Sequence, residues 1–166
     1  MPIAVSAPHA GTICHSGRLV SGCPDTVEGF AASLHRSRPP GDPLTERELS
    51  WPCRMRRLAR TQLLWWDVEE LTETVDVLVS ELVTNAVQHG HGTTVTTRLS
   101  RTATYLCVEV VTGAGGPGRP CPRIAGPEDE GGRGLFLVNA LSDTWGVSSD
   151  GTLTWCVLAT SAGDGR

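Results

Sequence analysis

The chain has 166 residues and a net charge of −4 at pH 7. This length suits one domain with a single core plus tails, and the charge argues against a nucleic-acid or anionic-membrane surface. All 14 basic residues are Arg. Because a P-loop and Schiff-base catalysis both need Lys, the composition excludes these two chemistries.

The composition also bears on the cell compartment. No stretch reaches the length of a membrane span, and the first twenty residues lack the charged start and apolar middle of a signal peptide. The 6 Cys are scattered without a Cys-x-x-Cys pair, which favours free thiols over a disulfide framework or a zinc site. We therefore expect a cytoplasmic protein.

The first part of the chain has the composition of a linker. Residues 1–43 are rich in Gly, Pro and Ser, so we predict a mobile extension, with a short helix opening at Asp25 as its one element. Leu49–Pro52 is predicted to be a short edge strand, since Pro52 cannot donate to a ladder. The domain itself is predicted to span residues 44–160, followed by a tail at 161–166.

Two helices are predicted next. Apolar residues at helical spacing from Met55 to Trp66 predict an amphipathic helix whose Arg side chains form a solvated face. Asp67 suits the N-cap of a second helix, and Gly90 suits its end. The apolar stripe of this second helix contains Val75, Leu78, Val79, Leu82, Val83 and Ala86.

Three polar residues follow one edge of that stripe. Glu81, Asn85 and His89 are spaced i, i+4, i+8, so they stack along the helix. Asn offers a neutral oxygen to a hard cation such as Mg²⁺, and a Glu one turn earlier can polarise a hydroxyl. Spacing alone favours a helix edge with ordinary polar residues over a ligand site.

The remaining chain predicts strands, a loop and one more helix. Val95–Leu99 and Tyr105–Val111 alternate as a β-hairpin, and Thr144–Ser148 and Thr152–Leu158 form a second pair. Between the pairs, a Gly- and Pro-rich stretch is typical of a lid or binding loop. It ends at Gly132-Arg133-Gly134 ahead of a helix, which is the form of a phosphate-binding turn or of a simple glycine turn.

The motif Glu-Leu-Val-Thr-Asn-Ala-Val-Gln-His-Gly at residues 81–90 resembles the N box of the GHKL ATPase superfamily, and in particular that of the anti-sigma-factor serine kinases and the short regulatory ATP-binding proteins of actinobacteria. With the lid and the glycine turn, the resemblance covers about residues 50–160. It implies an α+β Bergerat fold, a two-layer sandwich in which a mixed, mainly antiparallel sheet packs against about three helices.

The resemblance also implies a site for ATP and Mg²⁺. Glu81 is the expected catalytic residue that activates the attacking hydroxyl, and Asn85 is the expected Mg²⁺ ligand. His89 and Gly90 shape the pocket floor, and the loop 115–131 folds over the nucleotide. The expected cofactor-binding residues are Asn85, His89, Gly90, Gly113, Gly115, Gly132, Arg133 and Gly134.

One position departs from the family pattern. The first glycine box of the superfamily is Asp-x-Gly-x-Gly, whose Asp accepts a hydrogen bond from adenine, whereas this chain has Gly113 in the best register and Thr112 in the next one. A lost charge-assisted hydrogen bond costs about 1.5 to 3 kcal/mol, or roughly tenfold to a hundredfold in affinity.

The expected function is that of an ATP-binding regulator that transfers the γ-phosphate to a Ser or Thr of an antagonist protein. Its expected partner is a sigma factor or such an antagonist, with homodimerisation left open and with no nucleic acid or membrane. The alternative is a partner-binding module that keeps the fold but uses nucleotide weakly or not at all, an alternative motivated by Gly113.

Overall fold

The computed structural model describes residues 5–6, 14–15, 18–19, 28–36, 42–90, 92–112 and 133–160. Within these residues the chain forms a sheet with helices packed on one of its faces, and this arrangement confirms the predicted α+β fold class. No helix in these ranges is both long and apolar enough to cross a membrane.

Four α-helices belong to the described part of the chain. Their bounds are α1 Glu46–Leu49, α2 Trp51–Trp65, α3 Thr72–His89 and α4 Arg133–Leu141, with a 3₁₀ turn at Glu69–Leu71 ahead of α3. The helices expected around Met55, Glu81 and Leu137 are therefore present. They form where apolar residues recur every three to four positions.

Two local predictions about helix ends are wrong. No strand forms at Leu49–Pro52. Leu49 ends α1, which starts with a capping box of Thr45 and Glu48, and Trp51 and Pro52 begin α2, where Pro fits the first turn of a helix. Asp67 does not cap α3, since its backbone lies in the left-handed region at φ 57°, in the turn after α2. Instead α3 follows the 3₁₀ turn directly and has no side-chain cap.

The strands pair in the order β1-β4-β5-β6-β8-β7, and every pair in the described residues is antiparallel. A separate two-stranded pair joins β2 to β3. Their bounds are β1 Val5–Ser6, β2 Cys14–His15, β3 Arg18–Leu19, β4 Glu28–His35, β5 Thr94–Arg101, β6 Tyr105–Thr112, β7 Thr144–Val147 and β8 Leu153–Ala159. Both hairpins predicted from the sequence are present.

Strand β4 corrects the predicted start of the domain. It lies within residues 1–43, the range assigned to an extension with a short helix, yet it pairs with β5 over eight residues, from Glu28 opposite Arg101 to His35 opposite Thr94. The cause is a period of two: Ala32 and Leu34 point to the core, where they are 1% and 0% exposed. Small residues and a linker-like neighbourhood hid this alternation in the sequence.

The core fills the space between the sheet and helices α2 and α3. Its largest fully buried side chains include Trp51, Met55 and Leu63 of α2, and Leu78 and Leu82 of α3. The stripe that the sequence predicted for α3 is buried, except that Ala86 is only partly buried and Val87 joins the core. Burial of this stripe fixes which edge of α3 faces away from the sheet.

Helices α2 and α3 are also joined by polar contacts. Arg60 of α2 makes a bidentate contact with Asp76 of α3, and Arg56 donates a hydrogen bond of 2.9 Å to the Ser80 hydroxyl. The Arg60 side chain is still 57% exposed, so it lies on the predicted solvated face and binds the neighbouring helix from there, whereas Arg56 is half-buried.

The opposite face of the sheet carries a second, smaller apolar cluster of Cys107, Trp155 and Val157. Within the described ranges Cys53, Cys107 and Cys156 form no disulfide bond. Burial raises the pKa of the Cys156 thiol to about 12, so this side chain behaves as a small apolar residue.

If β4 is part of the folding unit, Leu34→Ala should lower the free energy of unfolding by about 2 to 5 kcal/mol, because it leaves a cavity in the core. Urea denaturation followed by circular dichroism measures the change. Ser33→Ala, on the other face of the same strand, is the control and should have a much smaller effect. Equal stability of Leu34→Ala and wild type would contradict the placement of β4 in the core.

Candidate active site on helix α3

The candidate site lies along the edge of α3 that the buried stripe leaves free. Glu81 and Asn85 are half-buried on this edge, one turn apart, and His89 is exposed at the last helical position. Among the described residues, neither the Glu81 carboxylate nor the Asn85 carboxamide has a hydrogen-bond partner. These two polar groups are the candidate ligand contacts of this edge.

Helix α4 approaches this edge through a glycine. A Cβ atom built on Gly134 would lie 2.5 Å from Oε2 of Glu81 and 3.6 Å from Nδ2 of Asn85. The first distance is shorter than real contacts allow, so a side chain at this position would displace the Glu81 carboxylate. Because Gly134 has no side chain, the backbone near the start of α4 comes close to both polar groups of α3. We call this arrangement of Gly134, Glu81 and Asn85 the cradle.

The end of α3 is held against the end of β6. A Cβ atom on Gly90 would lie 2.4 Å from the carbonyl oxygen of Ala86 and 2.6 Å from Cγ2 of Thr112. Gly90 has an ordinary φ of −70°, so the glycine is needed here for space rather than for backbone freedom. The predicted floor residue Gly90 is thus packed under Thr112, the last residue of β6.

A turn between β7 and β8 holds Thr112 from the other side. The Thr112 N–H and hydroxyl both donate to the carbonyl oxygen of Thr152, at 2.8 and 3.3 Å. Asp150 in turn accepts hydrogen bonds from Thr152 N–H at 3.0 Å, from the Thr152 hydroxyl at 2.9 Å and from the Ser148 hydroxyl at 2.5 Å. These bonds, that of Ser148 first, lower the pKa of Asp150 to about 2.

The remaining predicted site residues are described only in part. Arg133 is the first residue of α4, but nothing is described of its side chain. Gly113, Gly115 and Gly132 lie outside the described residues, as does the loop 115–131. The structure therefore brings together Glu81, Asn85 and Gly134, and it places Gly90 at the far end of the same helix edge.

Sequence reasoning missed Arg36, which directly follows β4. Its guanidinium group donates to the carbonyl oxygens of Ala86 and Val87, both at 2.6 Å, and it is close to Glu48. The composition of residues 1–43 predicts an extension, so an arginine in this range carries no signal of a structural role. If strand β4 is recognised in the sequence, the residue that follows it is expected to lie beside the core, and this residue is Arg36.

The donor set of this edge fits a magnesium nucleotide. Asn85 supplies the kind of neutral oxygen that Mg²⁺ accepts, and Glu81 supplies a carboxylate one turn away. Gly134 lies near the N-terminus of the nine-residue helix α4, and its backbone comes close to both side chains. Free N–H groups at a helix N-terminus donate hydrogen bonds to phosphate oxygens, so this position suits a phosphate group. No group of three or more His, Cys, Asp or Glu residues suited to a metal occurs in the described part of the chain, so a metal here would depend on Asn85 and on the nucleotide.

The fold is an antiparallel sheet with helices on one face. On it, a Glu and an Asn one turn apart on α3 face a glycine at the start of α4. These features define a nucleotide-binding domain of the GHKL type. Comparison with protein families agrees: residues 55–158 match the family described as histidine kinase-like ATPase domain. The match covers more than half of the chain, and the chain belongs to this family. No curated protein matches it.

Gly134→Ala tests the cradle. Ala favours a helix by up to about 1 kcal/mol over Gly, and the group it displaces is the end of a flexible side chain, so we expect the fold to be retained. Because Glu81 must move, affinity for Mg·ATP or turnover should fall by about tenfold or more. Calorimetry and a thermal melt measure the two effects.

The control for this change is Ala140→Gly, at an exposed position of the same helix. It should lower stability by about 1 kcal/mol and leave nucleotide binding unchanged. If Gly134→Ala binds and turns over Mg·ATP as wild type does, Gly134 does not set the geometry of the site.

The hydrogen bonds of Asp150 predict that the stability of the fold depends on pH. The folded pKa of about 2 lies below the unfolded value of 3.8, so the Asp150 carboxylate stabilises the fold above pH 3.8, and this contribution is lost as the pH falls through about 2. Asp150→Asn should be less stable than wild type at neutral pH, with a difference that shrinks over this window. Urea unfolding of both proteins at several pH values measures it; a difference independent of pH would contradict the assignment.

Proposed function

We propose that the protein is an ATP-dependent regulator that transfers the γ-phosphate of ATP to a Ser or Thr hydroxyl of an antagonist protein. Membership of the histidine kinase-like ATPase family supports ATP binding. The observation that carries the proposal is the cradle at Gly134, where the Glu81 carboxylate and the Asn85 carboxamide face the start of α4.

In this proposal Asn85 holds the Mg²⁺ that accompanies the nucleotide, and the metal when bound neutralises charge on the phosphate oxygens. Backbone N–H groups at the start of α4 bind phosphate oxygens, and the close approach at Gly134 keeps them beside Glu81 and Asn85. Such positioning and charge neutralisation make up most of what phosphoryl transfer asks of a protein.

Glu81 accepts the proton of the attacking hydroxyl. The bond between the γ-phosphorus and the β,γ-bridging oxygen breaks, a bond from the γ-phosphorus to the Ser or Thr oxygen forms, and ADP leaves. A general base of this kind contributes on the order of 10² to 10⁴ in rate. The sigma factor or antagonist protein expected from the sequence is the proposed partner, and a cytoplasmic location belongs to the same proposal.

Two substitutions separate binding from transfer. Asn85→Ala should weaken Mg·ATP binding by about tenfold to a hundredfold, because a ligand of the metal is lost. Glu81→Gln has the same shape without the charge, so it should bind Mg·ATP nearly as wild type does while transfer drops by on the order of 10² or more. Calorimetry measures binding, and transfer of labelled γ-phosphate to the proteins of a native-cell extract measures the reaction.

The two outcomes bear on different parts of the proposal. If wild type does not bind Mg·ATP at millimolar concentrations, the nucleotide function is wrong. If it binds but labels no Ser or Thr in the extract, or if Glu81→Gln labels as well as wild type does, the kinase reaction is wrong.

The second candidate is a partner-binding module of the same fold that uses nucleotide weakly. The observation that favours it is the sequence around the end of β6, where Thr112 and Gly113 stand without a carboxylate for adenine. Gly113→Asp restores that carboxylate and should tighten binding by about tenfold to a hundredfold. Nucleotide binding by the variant alone favours the module, whereas tight binding by wild type excludes it.

A further inference from the structure

Arg36 is a buried cation at the C-terminal end of the site helix. Its side chain is 6% exposed. Nη2 donates to the carbonyl oxygens of Ala86 and Val87, each at 2.6 Å, and Nη1 donates to those of Gly90 and, at 3.4 Å, Gly92. One guanidinium group thus contacts the last turn of α3 and the residues that follow it.

Glu48 balances this charge. Its Oε1 lies 3.6 Å from Nε of Arg36, and its side chain is 3% exposed. The other oxygen, Oε2, accepts from the Thr45 N–H and hydroxyl, both at 2.9 Å. A buried ion pair is tolerated when further hydrogen bonds offset its desolvation. Here these bonds are made by the terminal nitrogens of Arg36 and by Oε2 of Glu48, so the capping box of α1 and the Arg36 contacts support each other.

The contacts meet a need that α3 leaves open. The last four carbonyl groups of a helix lack intrahelical partners and carry partial negative charge. A left-handed glycine often satisfies them, but Gly90 has φ −70° and ψ 138°, which is extended backbone. The Ala86 carbonyl already accepts from the Gly90 N–H at 3.0 Å. Arg36 therefore supplies donors to the Val87 and Gly90 carbonyls at the end of the helix, as a cation whose planar fork reaches several oxygens at once.

We infer that Arg36, held by Glu48, is a positioning residue of the nucleotide site, an inference that rests on the proposed binding of Mg·ATP. The turn that Arg36 caps directly follows Asn85, and the same group holds Gly90 beneath Thr112. Loosening this turn moves Asn85 and the pocket floor, whereas Glu81 lies one turn further from the end. Arg36 thereby sets how strongly nucleotide binding depends on Mg²⁺.

The principal variants are Arg36→Lys, which keeps the charge but loses the fork, and Glu48→Gln, which keeps the capping box but removes the charge. Arg101→Lys is the matched control, because Arg101 also donates from a half-buried position to a backbone carbonyl, that of Trp66 in the turn after α2. Each variant is a full-length chain, and Arg36→Met is added if it folds.

Two measurements are made on each protein. Hydrogen exchange of the backbone amides of residues 86–90 reports the end of α3 without any ligand, and it is compared with exchange in the core of the sheet. Calorimetry with ADP, with and without Mg²⁺, gives the factor by which the metal tightens binding. A role in stability alone would lower protection throughout the chain and leave this factor unchanged.

We expect faster exchange at residues 86–90 in Arg36→Lys and Glu48→Gln than in Arg101→Lys, and a Mg²⁺-dependent affinity gain reduced by about tenfold. Unchanged exchange at 86–90, or a reduction of the gain in Arg101→Lys as large as in Arg36→Lys, overturns the inference. If wild type binds no ADP, the proposed function fails, and the exchange experiment then decides by itself whether Arg36 positions the end of α3.

Discussion

The close approach of α4 to α3 at Gly134 is the constraint on which the candidate site depends. Two packed helices usually keep their polar edges apart with side chains, whereas here the missing side chain lets a backbone reach Glu81 and Asn85. The approach works only because the opposite stripe of α3 is buried on the sheet, which fixes the rotation of the helix. Site geometry is thus a consequence of core packing.

A second set of contacts fixes the far end of the same helix. Gly90 is packed under Thr112, Thr112 is bonded to Thr152, and Asp150 holds Thr152 in its turn. These contacts join the end of α3, the end of β6 and the turn between β7 and β8, and Asp150 is the charged group among the four residues. The site edge therefore lies between two regions of restricted backbone, which keep Glu81 and Asn85 at fixed positions.

Much of this could be predicted from the sequence, for reasons visible in particular residues. Helix α3 has a long apolar stripe, and strands β5 and β6 alternate clearly, so their existence and type follow from periodicity. The polar edge at Glu81 and Asn85 follows from spacing once that stripe is recognised. The N-box motif then indicated the family, and the match over residues 55–158 confirms it.

The failures also have local causes. Strand β4 contains Gly29, Ala31 and Ala32, whose small side chains carry little pattern, and its burial is decided by pairing with β5, which is distant in sequence. Asp67 suits an N-cap by residue type, yet it lies in a left-handed turn whose geometry depends on the packing of α2 against α3. The contacts of Arg36 with the end of α3 depend on the same distant pairing and could not be predicted from the residues beside it in the sequence.

The contacts of Arg36 have a consequence for how this domain can be excised and studied. The family match begins at residue 55, yet Arg36, Glu48 and the fully buried Trp51 all precede it. A gene fragment that starts at residue 55 would encode α3 and α4, which carry the candidate site. It would leave out Trp51, strand β4, Arg36 and Glu48. The part of the chain that packs into the core is therefore longer than the range that matches the family. Fusions or crystallisation targets should begin upstream of β4.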